Sequence, residues 1–217
     1  MHLPCRTRRR RAAVTGAAAA AALVAVAGTA QAQGADHARR APARTAAPAY
    51  LAATELPPHP RSDWYADGVA KGLPEPVPYC VRDTLPSSGA GHRTFRTDYE
   101  TNAVQIVVTT GSADAATRLA AAVERKIRAC AADYRREYPP ATASWRDYGT
   151  VTAEDGAHVY GVHTALPDSE PAVGLYGVGR DGRTVTVVEW ADNGGLDLAP
   201  VPAFRRTTAT AVTKLYA

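Results

Sequence analysis

The stretch 172-AVGLYGVGRDGRTVTVVEW-190 decides the fold class. Ala172 to Val178 and Arg183 to Trp190 are rich in β-branched and aromatic residues, and Asp181-Gly182 between them is the strongest hairpin signal in the chain. Two further extended segments, Ala143 to Thr152 and Ala157 to Ala165, precede this pair. Thr94 to Tyr99 and Ala103 to Thr110 flank Glu100-Thr101-Asn102 and read as a second hairpin.

Between these groups of strands the hydrophobic period changes from two to three and four. Ala116, Leu119, Val123, Ile127, Cys130 and Tyr134 form one stripe, and Arg118, Glu124, Arg125, Arg128 and Arg135 fall mostly off it. Ser112 is a natural N-cap, Asp114 suits the first turn, and Pro139-Pro140 ends the helix. A closing helix starts near Val201, with Val201, Phe204, Thr208, Ala211 and Leu215 on its core face. The order ββαββββα predicts an α+β domain, an antiparallel sheet with both helices packed on one face.

The N-terminus explains the charge. The chain has 217 residues, Lys+Arg 25 against Asp+Glu 21, and a formal net charge of +4, a balance that first suggests an acidic partner. Yet Arg6, Arg8, Arg9, Arg10 and Arg11 lie together ahead of an apolar run from Ala12 to Ala27 and the small-x-small motif Ala30-Gln31-Ala32. That order is the signature of a secretory signal peptide over residues 1–32, cut between Ala32 and Gln33. Its loss would leave 20 basic and 21 acidic residues, so no surface for counterion-release binding to nucleic acid is implied. No second apolar run of membrane-spanning length follows, so the mature product is expected to be secreted, with no membrane span.

Residues 33–60 are rich in Ala, Pro and Arg with no hydrophobic period and read as a disordered tether; the folded domain is expected over 61–217. Cys5 would be lost with the signal, leaving Cys80 and Cys130. An even pair in an exported protein reads as one disulfide, worth roughly 4 kcal/mol for a loop of about 50 residues. It would staple the Pro-rich segment from Pro74 to Pro86 over the long helix.

Catalytic signatures are scarce. There is no Gly-x-Ser-x-Gly elbow, no His-Glu-x-x-His helix and no phosphate-cradling Gly-rich loop with Lys. Neither cysteine has a Cys or His at ligand spacing, and His158 and His163 fall on opposite faces of a strand, so no metal or other cofactor is expected. Glu189 follows Val185 and Val187 at period two and therefore points to a face that should be buried. With Trp190 and the loop residues Asp192, Asn193, Gly194 and Gly195 it forms a candidate ligand-binding rim.

The run Ser112-x-Asp114-Ala115-Ala116 into Val123-x-x-x-Ile127-x-x-Cys130, followed by Val187-Val188-Glu189-Trp190 and a C-terminal helix, resembles the PknH-like extracellular sensor domain family over roughly residues 61 to 217. The resemblance implies an α+β domain with a ligand groove and no enzymatic activity of its own. One cysteine pair stands where the kinase members have two. The expectation is a secreted, non-enzymatic binding module for an extracellular small molecule or cell-wall component. Its rivals are a small secreted hydrolase using Glu189 with Asp192 or a histidine, and a module that binds or inhibits another exported protein.

Overall fold

The computed structural model describes residues 47–216. The expected signal peptide, its cleavage between Ala32 and Gln33, and the first part of the expected tether lie outside the described residues. The rest is an α+β unit built on one antiparallel sheet.

The strands are β1 (Tyr65–Ala66), β2 (Ala70–Lys71), β3 (Ala90–Arg96), β4 (Asn102–Thr109), β5 (Thr142–Val151), β6 (Ala157–Ala165), β7 (Ala172–Asp181) and β8 (Thr184–Asn193). The helices are α1 (Ala113–Glu137) and α2 (Val201–Thr213). The sheet runs β1-β3-β4-β8-β7-β6-β5, with β2 also on β3. The expected order holds for the six long strands. The two-residue strands β1 and β2 are additions that no sequence period can announce.

The β7–β8 hairpin turns at Gly182-Arg183, because Asp181 pairs with Thr184. Gly182 adopts a φ of 55°, which a two-residue hairpin turn requires and glycine takes without a Cβ penalty. The turn therefore lies one residue later than the Asp181-Gly182 reading.

The helices pack on opposite faces, which corrects the expectation that they share one. Val104, Ile106, Val108, Tyr176, Val178, Val185 and Val187 meet Val123 and Ile127 of α1. Val159, Val173, Leu175, Val188 and Trp190 meet Phe204 and Ala211 of α2. Strand β8 shows why: Thr184 to Val188 are buried without a break, so both of its faces need cover. On β7, Gly177 and Gly179 let α2 approach, with a Cβ at Gly177 meeting Thr208 Cγ2 at 2.8 Å. Ser112 caps α1, its hydroxyl accepting the Ala115 N–H at 3.1 Å.

Residues 47–60, expected as tether, are packed into the second core. Leu51 and Leu56 are buried there. The Leu51 N–H donates to Gln105 Oε1 at 2.7 Å, while Gln105 Nε2 donates to Thr186 Oγ1 at 3.0 Å, so a buried amide is satisfied at both ends. Thr207 donates to the Glu55 carbonyl at 2.6 Å, and Lys214 pairs with Glu55 at 2.8 Å. Two leucines supply the anchoring in a stretch otherwise dominated by alanine and proline, too few to register as a period.

Candidate functional site

The site grows from the irregular segment between β2 and β3. Cys80 is bonded to Cys130 of α1, their Cα atoms 5.2 Å apart, so the expected bridge is formed. Tyr79–Val81 make one 3-10 turn, and Val81 and Leu85 are buried beneath it. A second fastening supplements the bridge: Tyr79 donates to Glu137 Oε2 at 2.8 Å, and Arg82 pairs with the same carboxylate. The Arg82 guanidinium lies 4.1 Å from the Tyr79 ring centroid. Burial and the Glu137 charge push the Tyr79 hydroxyl up to about 12, so it is a donor throughout the physiological range.

This stapled segment crosses the α1 face of the sheet and leaves a cleft on each side. Toward β3 and β4 the cleft is about 510 Å³, walled by Pro74, Pro76, Val77 and Pro78 with Val104 beneath. Toward β6 and β7 a smaller one of about 170 Å³ is lined by Tyr79, Tyr134, Thr164, Gly174 and Tyr176. Glu189 lines both. The period-two reading of β8 is thus right for this residue: Glu189 shares the face of Val185 and Val187 and reaches the end of the core, where the helix stops covering the sheet.

Glu189 accepts a hydrogen bond from the Tyr176 hydroxyl at 2.6 Å. That hydroxyl in turn meets the Cys80 backbone N–H. Cys80, Tyr176 and Glu189 therefore form a chain from the disulfide to the carboxyl. Burial pushes the Glu189 carboxyl up to about 7, against the lowering effect of the Tyr176 hydrogen bond. Burial first, and the neighbouring carboxylate second, push the Tyr176 hydroxyl well above its usual range, so it remains protonated and donating.

The other rim candidates do not join Glu189. Trp190 points to the opposite face and is 5% exposed among the α2-side core residues. Strand β8 continues through Asn193, replacing the expected loop from Ala191. Asp192 accepts from Thr101 Oγ1 at 2.9 Å, and the Asn193 amide donates to Glu170 at 2.7 Å and to Glu100. These two residues tie the strand end to the β3–β4 turn and the β6–β7 loop. Glu189 and Asp192, three apart on a strand, fall on opposite faces and do not form an acid/base pair.

His158 and His163 also separate, as their spacing requires. His158 Nε2 lies 2.5 Å from Asp147 Oδ1, and its ring stacks on Tyr160 at 4.4 Å. Burial opposes ionisation of Asp147, but the His158 contact and the Gly149 N–H outweigh it and hold the carboxyl below its usual range. No histidine lines either Glu189 cleft. Among the described residues, no three His, Cys, Asp or Glu side chains are placed to hold a metal ion.

A larger hollow of about 740 Å³ lies between Ala53–Leu56 and His59–Tyr65. No buried ionisable group lines it. The rings at its margin are already engaged, Tyr65 by Arg96 and Tyr99 by both His59 and Arg61.

Tyr176, Tyr79 and the proline wall are the site residues that sequence reasoning missed. A turn at Asp181-Gly182 would set Glu189 opposite Gly174. The observed turn sets it opposite Tyr176. The one usable signal was therefore the hairpin register. No protein-family model matches this chain, and no curated protein matches it.

Proposed function

We propose that the chain is an exported, non-enzymatic binding module of the PknH-like sensor type, and that its ligand enters the cleft beside Glu189. The observation that carries this reading is a half-buried carboxyl at the floor of an open cleft, held by one tyrosine and lined by apolar walls. Ligand pockets are typically apolar with a few placed polar groups. No histidine, serine or free thiol lines the clefts beside Glu189, and the other carboxylate there, Glu75, sits on the proline wall with no hydrogen bond to Glu189, which supports binding over turnover.

The reading is tested with a panel of cell-wall and peptide substrates presented to the native protein and to Glu189→Gln. Shifts in the amide resonances of Val104, Tyr176 and Glu189 without turnover support it. Hydrolysis that vanishes in the variant would defeat it. Export is tested separately by mass spectrometry of secreted material, where Gln33 should be the first residue; an intact N-terminus on membrane-bound protein would overturn it.

A further inference from the structure

We infer that the ligand of the Glu189 cleft presents a primary ammonium group on a short apolar chain. This rests on the reading of the cleft as a ligand site and names the chemistry of what fills it.

The charges around the cleft do not balance from within. Its ionisable lining residues are Glu75, Arg82 and Glu189, with Tyr79 beside them. Arg82 is committed, since it pairs with Glu137 and lies over Tyr79. Among the described residues no cation is paired with Glu75 or Glu189. The smaller cleft adds only Tyr134 and Tyr176 to this set, and no cation. The ionisable groups around Glu189 are therefore tyrosine hydroxyls, a second carboxylate and a cation already matched elsewhere.

The geometry of the carboxyl gives this imbalance a direction. Tyr176 takes Oε1, so the free acceptor capacity of Glu189 is at Oε2, and the residue borders open space on both sides. An ammonium group placed there would donate a charge-assisted hydrogen bond in a setting drier than bulk water, where such bonds are strong. The proline and valine walls suit methylene groups behind it. A divalent cation fits less well, because it demands several oxygen ligands, and among the described residues no three His, Cys, Asp or Glu side chains are placed to hold one.

Binding also has a proton cost. Burial holds the Glu189 carboxyl up to about 7, so pairing with an ammonium group releases its proton, and affinity should rise with pH through that value. The groups facing Glu189 are Tyr176 on β7, Tyr79, Arg82 and Glu75 on the stapled segment, and Tyr134 on α1. Burial likewise holds the Tyr176 and Tyr79 hydroxyls above their usual range, so neither loses its proton across this interval.

The test is an amide-resolved NMR titration of the exported chain with n-butylamine, Nα-acetyl-lysine-N-methylamide and the neutral control n-butanol. Both amines are expected to shift Val104, Tyr176 and Glu189 and to bind about tenfold more tightly than n-butanol at about pH 8, with the preference shrinking at about pH 6. The ratio between the amines separates a free alkylamine from a lysine-type side chain as the source. Glu189→Gln should abolish the preference and leave the spectrum of α2 and the second core unchanged. If n-butanol shifts the cleft as strongly as the amines, the ammonium inference falls and the cleft remains a binding site. If no probe shifts those amides, both readings fall.

Discussion

Tyr176 and Glu189 stand directly opposite each other on β7 and β8, with the tyrosine hydroxyl 2.6 Å from the carboxylate. This cross-strand pair is where the core of the α1 face ends and the cleft begins. The same pair links the domain's stability to its candidate function, because a carboxyl dry enough to hold its proton near neutrality is also one that a ligand can pull into its charged form.

The first consequence is a stability that falls as pH rises. Glu189 has a folded value of about 7, above its ordinary 4.5, so the native state holds a proton that the unfolded chain has released. This contribution is fully present below about pH 4.5 and is lost as pH rises through about 7, on the order of 3 kcal/mol in all. Urea unfolding at about pH 5 and pH 8 should show the loss in the native protein. Glu189→Gln keeps an acceptor for Tyr176 but has no proton to lose, so its Glu189-linked slope should disappear; an unchanged slope would place the titration elsewhere.

Packing of α2 gives a sharper mutational test. A Cβ on Gly177 would meet Thr208 Cγ2 at 2.8 Å and overlap Thr208 Oγ1 more closely still. Gly177→Ala must push α2 off β7 and should cost about 1–3 kcal/mol. Gly111→Ala, where the added methyl meets nothing within 4 Å, is the control and should be near neutral. Equal stability of the two variants would mean that α2 is not seated on β7 as described.

The domain also begins earlier than composition implies. A chain trimmed to 61–217 exposes the second core where Leu51 and Leu56 were buried, at about 1.5–3 kcal/mol each, and strips Gln105 of one partner. It should be about 4 kcal/mol or more less stable than 47–217 by chemical denaturation. Matching midpoints would restore the tether reading for residues 47–60.

These corrections share a cause with what the sequence did reveal. Patterns with a period were legible: the α1 stripe through Val123, Ile127 and Cys130, the Ser112 cap, and the direction of Glu189 from its spacing behind Val185 and Val187. What depended on a single residue or a relation between elements was not. Leu51 anchors its segment through one hydrogen bond to a residue 54 positions away. The turn at Gly182-Arg183 shifts by one residue and moves every pairing by two, changing the partner of Glu189 from Gly174 to Tyr176. The placement of the helices followed from both faces of β8 being apolar, a run visible in Val185 to Val188 but read only along one face. Trp190 and Glu189 are neighbours in sequence and for that reason could not share a cleft.

The disulfide ties these observations together and supplies the last test. The Cys80–Cys130 bridge closes a loop with a sequence separation of 50, and Cys130 is fully buried in the α1 core. Replacing both cysteines by alanine should cost about 4 kcal/mol by the chain-entropy account. The stapled segment also walls both clefts, and the Cys80 N–H meets the hydroxyl that serves Glu189. Loosening it admits water to the carboxyl, removing the burial that raises it. In the double variant, the Glu189 carboxyl followed by carbon-detected NMR should therefore titrate below 7, moving toward its ordinary 4.5. A stability loss with an unmoved titration would show that the bridge supports the fold alone and that the Tyr79–Glu137–Arg82 fastening holds the cleft wall without it.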